Sequence, residues 1–450
     1  MSVACCVFAA KERKTVFIII DGIAADNMER LQPKNMFDIA RKGHYSRAYC
    51  GGKVGQYSET PTISAIGYAN ILTGTWMNKH NVRGNSDIQE NYNYWTIFRI
   101  AEEQKRDVRT AIFSSWTDNR TVLLGEGKPE NGSIKLDYAY DGYDTAPDLK
   151  YLKHDLHIYE FDSIVCREAA RCLREEAPDL SWVYLWYPDD AYHLFGNSAY
   201  SDYYVTKEDE HIGKVWEAVQ YREKNFNEEW LVIVLTDHGR DEQGYHHGGQ
   251  SERARTVWIS TNQKKVNRQF SEPWLSHVDV LPTICRYMNF EVPRDVAFEQ
   301  DGISFIGKRD IYDLTAYNYE ENVILNWKVD EAKGMADVYL APENKFKEEG
   351  RENWIKVATV PARDGQCKVD LTAYKSSLYK FVVATANTHL TVWNPVNPNR
   401  SVRPQLFGWM VTTAPRKVSA RCRRDFSGSG FCVFLSRELI WIEGRGMAIY

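Results

Sequence analysis

From Thr15 to about residue 310 the chain alternates short, apolar, β-branched runs with stretches of helical periodicity. That alternation constrains the fold more than any other feature, because strands separated by helices build a mostly parallel sheet with helices on both faces. Strands are expected at Val16–Ile20, Thr110–Ser114, Trp182–Trp186, Leu231–Leu235 and Thr256–Ser260. Helices are expected at Phe161–Arg174, Glu208–Arg222 and Val278–Met288, where apolar residues recur at helical spacing. Residues 117–155, rich in Asp, Gly, Asn, Lys and Pro, predict a long surface insertion.

After about residue 318 the texture changes. Short runs of alternating polarity at Val323–Val329, Ala336–Leu340, Trp354–Thr359, Cys367–Leu371 and Tyr379–Ala384 predict a small β-sandwich over residues 318–396. The sequence thus divides into an α/β domain at 15–317, this module, and an Arg-rich tail at 397–450 that is left unassigned. Residues 1–14 open on MSVACCVFAA and read as the remnant of a secretory leader, with a frayed terminus as the alternative. A periplasmic or secreted location is expected on that basis.

Composition narrows the function. With 56 Lys and Arg against 61 Asp and Glu, the net charge of −5 argues against a general nucleic-acid binder. The apolar runs are too short to cross a bilayer, so no transmembrane segment is expected. Nine cysteines without any C-x-x-C pair predict free or buried thiols rather than a disulfide framework.

Four stretches place metal-type ligands just beyond a predicted strand or at a glycine turn, and the carboxyl edge of an open sheet is where sites assemble. Asp21 follows Phe17-Ile-Ile-Ile, and Asp189 and His193 follow the Tyr184–Trp186 strand end. Asp237 and His238 follow Leu231–Leu235, and His246-His247 precede two glycines. Each stretch alone has an ordinary explanation, Asp-Gly being also a common turn. Together three acids and three histidines supply six ligands, enough for two zinc-like ions, a mixed set that suits zinc better than magnesium or calcium. Two such ions form the clamp used for displacement at phosphorus. Ser64, where a loop enters a helix, is the candidate nucleophile, with an N-capping role as the alternative and Thr62 as its rival.

These stretches resemble the alkaline phosphatase superfamily, most of all its type I phosphodiesterase/nucleotide pyrophosphatase branch, over roughly residues 15–310. The resemblance rests on Asp21, the Pro61-Thr62-Ile63-Ser64 segment running to Thr73-Gly74, His80 and Asn85. Tyr184 to His193, Asp237-His238-Gly239 and His247-Gly248 complete it. It implies an alkaline-phosphatase-like α/β sandwich with one zinc on Asp189, His193 and His247. The other zinc would sit on Asp21, Asp237 and His238, with Ser64 as the bridging nucleophile. Asn85 would hold a phosphoryl oxygen, Tyr184 would stack on substrate, and His246 is the alternative to His247. Manganese is the alternative metal, used by related Ser-nucleophile mutases.

The sequence also departs from that pattern. The nucleophile is Ser64 rather than Thr, and Ala65-Ile66-Gly67 replaces the usual Phe-Pro-Asn. Only eight residues separate His238 from His247, so the insertion that helps build a nucleotide pocket is missing. The Lys-x-Arg pair of a monoesterase subgroup is absent, although Arg120 remains to grip a dianionic phosphate. No C/S-x-P-x-R motif of a sulfatase is found. The expected activity is therefore hydrolysis of a small phosphate ester, a diester first, through a phospho-Ser64 intermediate. A phosphomonoesterase, a phosphoryl or headgroup transferase, and a pseudoenzyme whose β-module binds are the alternatives.

Overall fold

The computed structural model describes residues 10–330 and 333–395. The Arg-rich tail and most of the leader expectation lie outside the described residues. The last part of that leader does not: β1 runs Glu12–Ile20, and Lys14 is buried with its Nζ on Asp179 Oδ1 at 2.8 Å.

Seven strands form the main sheet: β1, β2 (His44–Tyr49), β3 (Thr110–Ser114), β4 (Tyr138–Tyr140), β5 (Leu180–Leu185), β6 (Glu228–Leu235) and β7 (Thr256–Thr261). Their order is β2-β7-β6-β1-β5-β3-β4, with β6, β1, β5, β3 and β4 mutually parallel and β7 and β2 antiparallel at one edge. The chain is thus an α/β fold around a mixed, mostly parallel sheet, as the alternation predicts.

Near-continuous apolar runs in β1 and β6 reflect burial on both faces. Phe17, Ile19, Ile233 and Leu235 join one core, while Val16, Ile18, Val232 and Val234 join the other. The helices that concern the site are α1 (Ser64–Thr73), α2 (Leu156–Glu175), α3 (Tyr187–Phe195), α4 (Ala199–Asn225) and α5 (Val280–Met288). At full burial of each large apolar side chain, on the order of 1.5–3 kcal/mol favours this arrangement.

Two expectations change. The 117–155 segment is not only surface. It contributes β4 to the sheet, and Leu123, Leu124, Ile134 and Leu136 are buried in the core among its polar residues. The β-module starts with β8 (Ile311–Tyr319), ahead of residue 318. A register shift between Tyr312 and Thr315 breaks the alternation that would have marked this strand.

The module continues with β9 (Asn322–Val329), β10 (Met335–Ala341), β11 (Ile355–Pro361), β12 (Gln366–Asp370), β13 (Leu378–Ala384) and β14 (His389–Pro395). They form antiparallel sheets ordered β11-β10-β13-β14 and β12-β9-β8 around one core that includes Trp327, Val338 and Phe381. Five cysteines among the described residues are free and buried. No helix of the described residues is long and apolar enough to cross a membrane.

Candidate active site

The carboxyl ends of β1 and β6 lie side by side, since Ile19 pairs with Leu235 in parallel register. The next residues therefore bring Asp21, Asp237 and His238 to one point. His238 Nε2 is 3.4 Å from Asp21 Oδ1 and 3.3 Å from Asp237 Oδ2. Helix α3 leaves the end of the neighbouring β5 and carries Asp189 and His193 one turn apart. His193 Nε2 lies 3.2 Å from Asp189 Oδ2 and 3.1 Å from His247 Nε2. His247 stacks on His238, ring centroids 3.7 Å apart.

Two compact acid–imidazole trios result: Asp21, Asp237 and His238, and Asp189, His238 and His247. His238 thus belongs to both. His193, expected in the second set, stands beside it against Asp189 and His247.

The hydrogen bonds show which nitrogens face inward. His238 Nδ1 lies 2.9 Å from the Gly239 carbonyl oxygen, and His247 Nδ1 lies 2.8 Å from that of Thr62. Carbonyl oxygens only accept, so each Nδ1 carries the proton and each Nε2 turns a lone pair toward the cluster. Facing them, the buried oxygens Asp21 Oδ1 and Asp237 Oδ2 accept no hydrogen bond. Lone pairs converging with no donor between them are costly in a buried site, and a divalent cation is the group that satisfies them. The donor set fits metal ions of the zinc type.

The electrostatics agree. Burial, with Asp237 and Asp189 adding repulsion, raises Asp21 well above the carboxylate range, and burial likewise pushes Asp237 to about 7. Burial also opposes ionisation of Asp189, but Arg240 and His193 outweigh it and hold that carboxyl low. Burial lowers His238 and His247, whereas the bond to Asp189 raises His193.

Ser64 opens α1, and Ile63 occupies the N-cap position, so the serine is not the cap. Its buried Oγ is 3.3 Å from His238 Nε2. Gly67 lets the helix approach this closely: a Cβ there would lie 3.0 Å from Asp237 Cβ. The Ala65 N–H donates to Asn85 Oδ1 at 2.9 Å, which ties that amide to the residue after the serine. Thr62 is engaged elsewhere, its Oγ1 donating to the Gly249 carbonyl oxygen at 2.8 Å and accepting from Gly248 N at 2.9 Å.

Three expected residues stand apart from the roles given them. Tyr184 is buried in β5, and its hydroxyl lies 2.9 Å from Asp21 Oδ2 and 2.8 Å from the Tyr68 hydroxyl. With both sheet faces covered its ring offers no stacking surface, so it steadies Asp21 instead. Arg120 is committed to Asp141 on two bonds, at 2.6 and 3.0 Å, and to Glu126 at 2.7 Å. It does not offer a free guanidinium. His246 is exposed, its ring centroid 6.4 Å from that of His193, and stays outside the cluster.

Sequence reasoning missed Tyr68, which donates to Asp21 Oδ2, and Arg240, a wholly buried arginine bonded to Asp189. Arg240 follows Asp237-His238-Gly239 directly, and a cation that close to two ligands was the available signal.

The family model for type I phosphodiesterase / nucleotide pyrophosphatase matches residues 15–346. No curated protein matches the chain. Among solved structures it is similar to a protein in the alkaline phosphatase superfamily from Vibrio parahaemolyticus, at 11% identity. That likeness covers 87% of this chain and 84% of that one, with a TM-score of 0.43. An inactive form of murine ectonucleotide pyrophosphatase / phosphodiesterase 5, in complex with AMP, is similar at 11% identity. It covers 64% of this chain and 98% of that one, with a TM-score of 0.43. BT1596, a 2-O GAG sulfatase, shares 14% identity over 81% of this chain and 86% of that one, with a TM-score of 0.48. Because the family match spans well over half its length, the chain belongs to the type I phosphodiesterase/nucleotide pyrophosphatase family of the alkaline phosphatase superfamily.

Proposed function

We propose that the protein is a two-metal phosphoric-ester hydrolase that cleaves phosphodiesters through a covalent phospho-Ser64 intermediate. The observation that carries this reading is the position of Ser64 Oγ, buried at a helix start and 3.3 Å from His238 Nε2 inside the acid–imidazole cluster. Asp21, Asp237 and His238 would hold one zinc, and Asp189, His193 and His247 the other, with manganese as the alternative ion. When bound, such ions supply Lewis acidity to a phosphoryl oxygen and lower the pKa of the serine hydroxyl.

The chain's own residues do the rest. Backbone N–H groups at the start of α1 favour an anion there. Asn85, fixed through its Oδ1, has its side-chain amide left to donate to a phosphoryl oxygen. Ser64 Oγ attacks phosphorus in line. Oγ gives up its proton as the Oγ–P bond forms and the bond to the leaving oxygen breaks, the departing alkoxide taking up a proton from water. A second water then attacks phosphorus, releases the remaining phosphate monoester and returns a proton to Ser64. Tyr68 and Tyr184 keep Asp21 oriented throughout.

A diester is favoured because Arg120 is spent on Asp141 and Glu126, and Arg240 on Asp189. The second negative charge of a monoester therefore meets no free guanidinium from either. The apolar start of the sequence supports a periplasmic or secreted setting for this activity.

A paired rate assay on zinc-loaded protein tests the proposal, with bis-p-nitrophenyl phosphate against p-nitrophenyl phosphate and a chelated control. The diester should be faster by ~10-fold or more, about 1.4 kcal/mol of barrier. A monoester advantage of that size makes the enzyme a phosphatase, and no turnover of either refutes the hydrolase. Ser64→Ala should lose at least ~1000-fold in kcat while keeping its bound metal. Activity within tenfold of the parent would remove Ser64 as nucleophile.

A further inference from the structure

Arg240 is buried completely, and every one of its side-chain nitrogens is engaged. Nε donates to the Gly22 carbonyl oxygen at 2.7 Å, in the turn directly after Asp21. One Nη2 donates both to the Asp189 carbonyl oxygen, at 2.9 Å, and to Asp189 Oδ1. Nη1 reaches the carbonyl oxygens of Gly244 and Tyr245, each at 3.3 Å, in the loop that ends at His247. A single side chain thus ties together three separate segments, each of which presents a ligand.

The packing around it leaves no slack. Gly22 has a φ of +67°, and a Cβ there would lie 2.4 Å from Asp189 Oδ1 and 2.6 Å from Arg240 Nη2. Asp189 is also fixed in orientation: Arg240 takes Oδ1, while Oδ2 faces His193 Nε2 at 3.2 Å. The loop that Arg240 grips is the short one, with only eight residues between His238 and His247. It contains no helix or strand of its own to set the position of His247.

We propose that Arg240 is a positioning residue for the Asp189–His193–His247 metal position, orienting the Asp189 carboxylate and anchoring the short loop that delivers His247. This deepens the two-metal reading and rests on it. The role belongs to the planar, five-donor fork of arginine. A lysine, which keeps the charge but presents a compact ammonium, cannot reach a carboxylate and four carbonyl oxygens at once. Groups that hold a metal ligand in place typically account for 10–100-fold in metal affinity.

The test is a zinc titration of the metal-free full chain against a chelator of known affinity, with bound metal counted at saturation. His247→Ala identifies which class of site lies on the Asp189 side. Arg240→Lys should weaken that same class 10–100-fold and weaken the other, which it meets only through the Gly22 carbonyl oxygen, by clearly less, with an unchanged far-UV circular dichroism spectrum. If Arg240→Lys does not fold, Arg240→Gln carries the same expectation. Affinity within threefold of the parent at the His247-dependent class overturns the proposal, as does equal weakening of both classes. Parent protein that binds neither zinc nor manganese would instead sink the two-metal reading and this proposal with it. Turnover is not measured, so a wrong substrate cannot be mistaken for a wrong arginine.

Discussion

Replacing Asp162 should show that the helix bearing two metal-position residues is held from outside itself. Asp162 lies on α2 and is fully buried. Its Oδ1 accepts from Trp186 N at 3.0 Å and from the Ser115 hydroxyl, and its Oδ2 accepts from Tyr187 N at 2.7 Å. Trp186 is the N-cap of α3 and Tyr187 its first residue, and this end of the helix has no side-chain cap of its own. Asp162 therefore caps α3 across the fold and places a carboxylate at its positive end.

Asp162→Ala would leave the Trp186 and Tyr187 N–H groups without this acceptor, while the Ser115 hydroxyl keeps the Tyr184 carbonyl oxygen at 3.4 Å. At about 1–3 kcal/mol for each orphaned group, the loss is roughly 2–6 kcal/mol, a large part of a typical domain's stability. Asp162→Asn keeps one acceptor and should fall in between. Burial raises this carboxyl to about 7, so urea unfolding of the metal-free protein is best followed at pH 8.5, where it is ionised. Because α3 carries Asp189 and His193, zinc binding on that side should weaken alongside stability. An Asp162→Ala protein within ~1 kcal/mol of the parent would refute the capping argument, since the two orphaned N–H groups should cost more.

Acid sensitivity should be traceable to His80, whose burial lowers it to about 3. Its Nε2 lies 2.9 Å from Asn70 Oδ1, and its Nδ1 accepts from Val82 N at 3.1 Å, so the neutral ring is fully used. A depressed folded-state value means the contribution is whole above the unfolded value near 6.5 and is lost as pH falls toward 3. At pH 4.5 that is about 3 kcal/mol, so His80→Gln should lose roughly that much less than the parent between pH 7 and 4.5. Equal losses in urea titrations at the two pH values would contradict it. Zinc affinity should also fall on acidification. Asp237, raised to about 7 by burial, and Asp21, raised further by its acidic neighbours, must both lose protons to bind metal. Below pH 7 the affinity should drop at least ~10-fold per pH unit, and a change under threefold from pH 7 to 5.5 would break the link.

What the sequence made legible was whatever chain direction and strand order determine. Asp21 and Asp237 each follow a buried run, so once β1 and β6 pair in parallel their meeting is nearly forced. Ser64 was recognisable as a residue at a helix entrance, but whether it caps or opens the helix depends on backbone angles at Ile63. The roles of Tyr184 and Arg120 were not legible, because each depends on what packs against it. Tyr184 sits opposite Ile19 in the sheet, which sends its hydroxyl to Asp21. Arg120 is neutralised by Asp141, whose neighbour Tyr140 ends a strand that polar composition concealed. Arg240 was hidden for the same reason, four of its five acceptors being carbonyl oxygens that no motif records.

The charge balance of the cluster connects these separate observations. Asp21, Asp189 and Asp237 bring three carboxylates into one buried space, and Arg240 offsets one of them. Two divalent ions would turn the remaining double negative charge into a double positive one. A Ser64 alkoxide with a singly charged diester cancels that excess, whereas the same alkoxide with a doubly charged monoester overshoots it. In a low-dielectric site an unmatched charge is expensive. On the proposed two-metal reading, the arginine that fixes Asp189 would therefore also set the charge that substrate brings, which matches the diester proposed above.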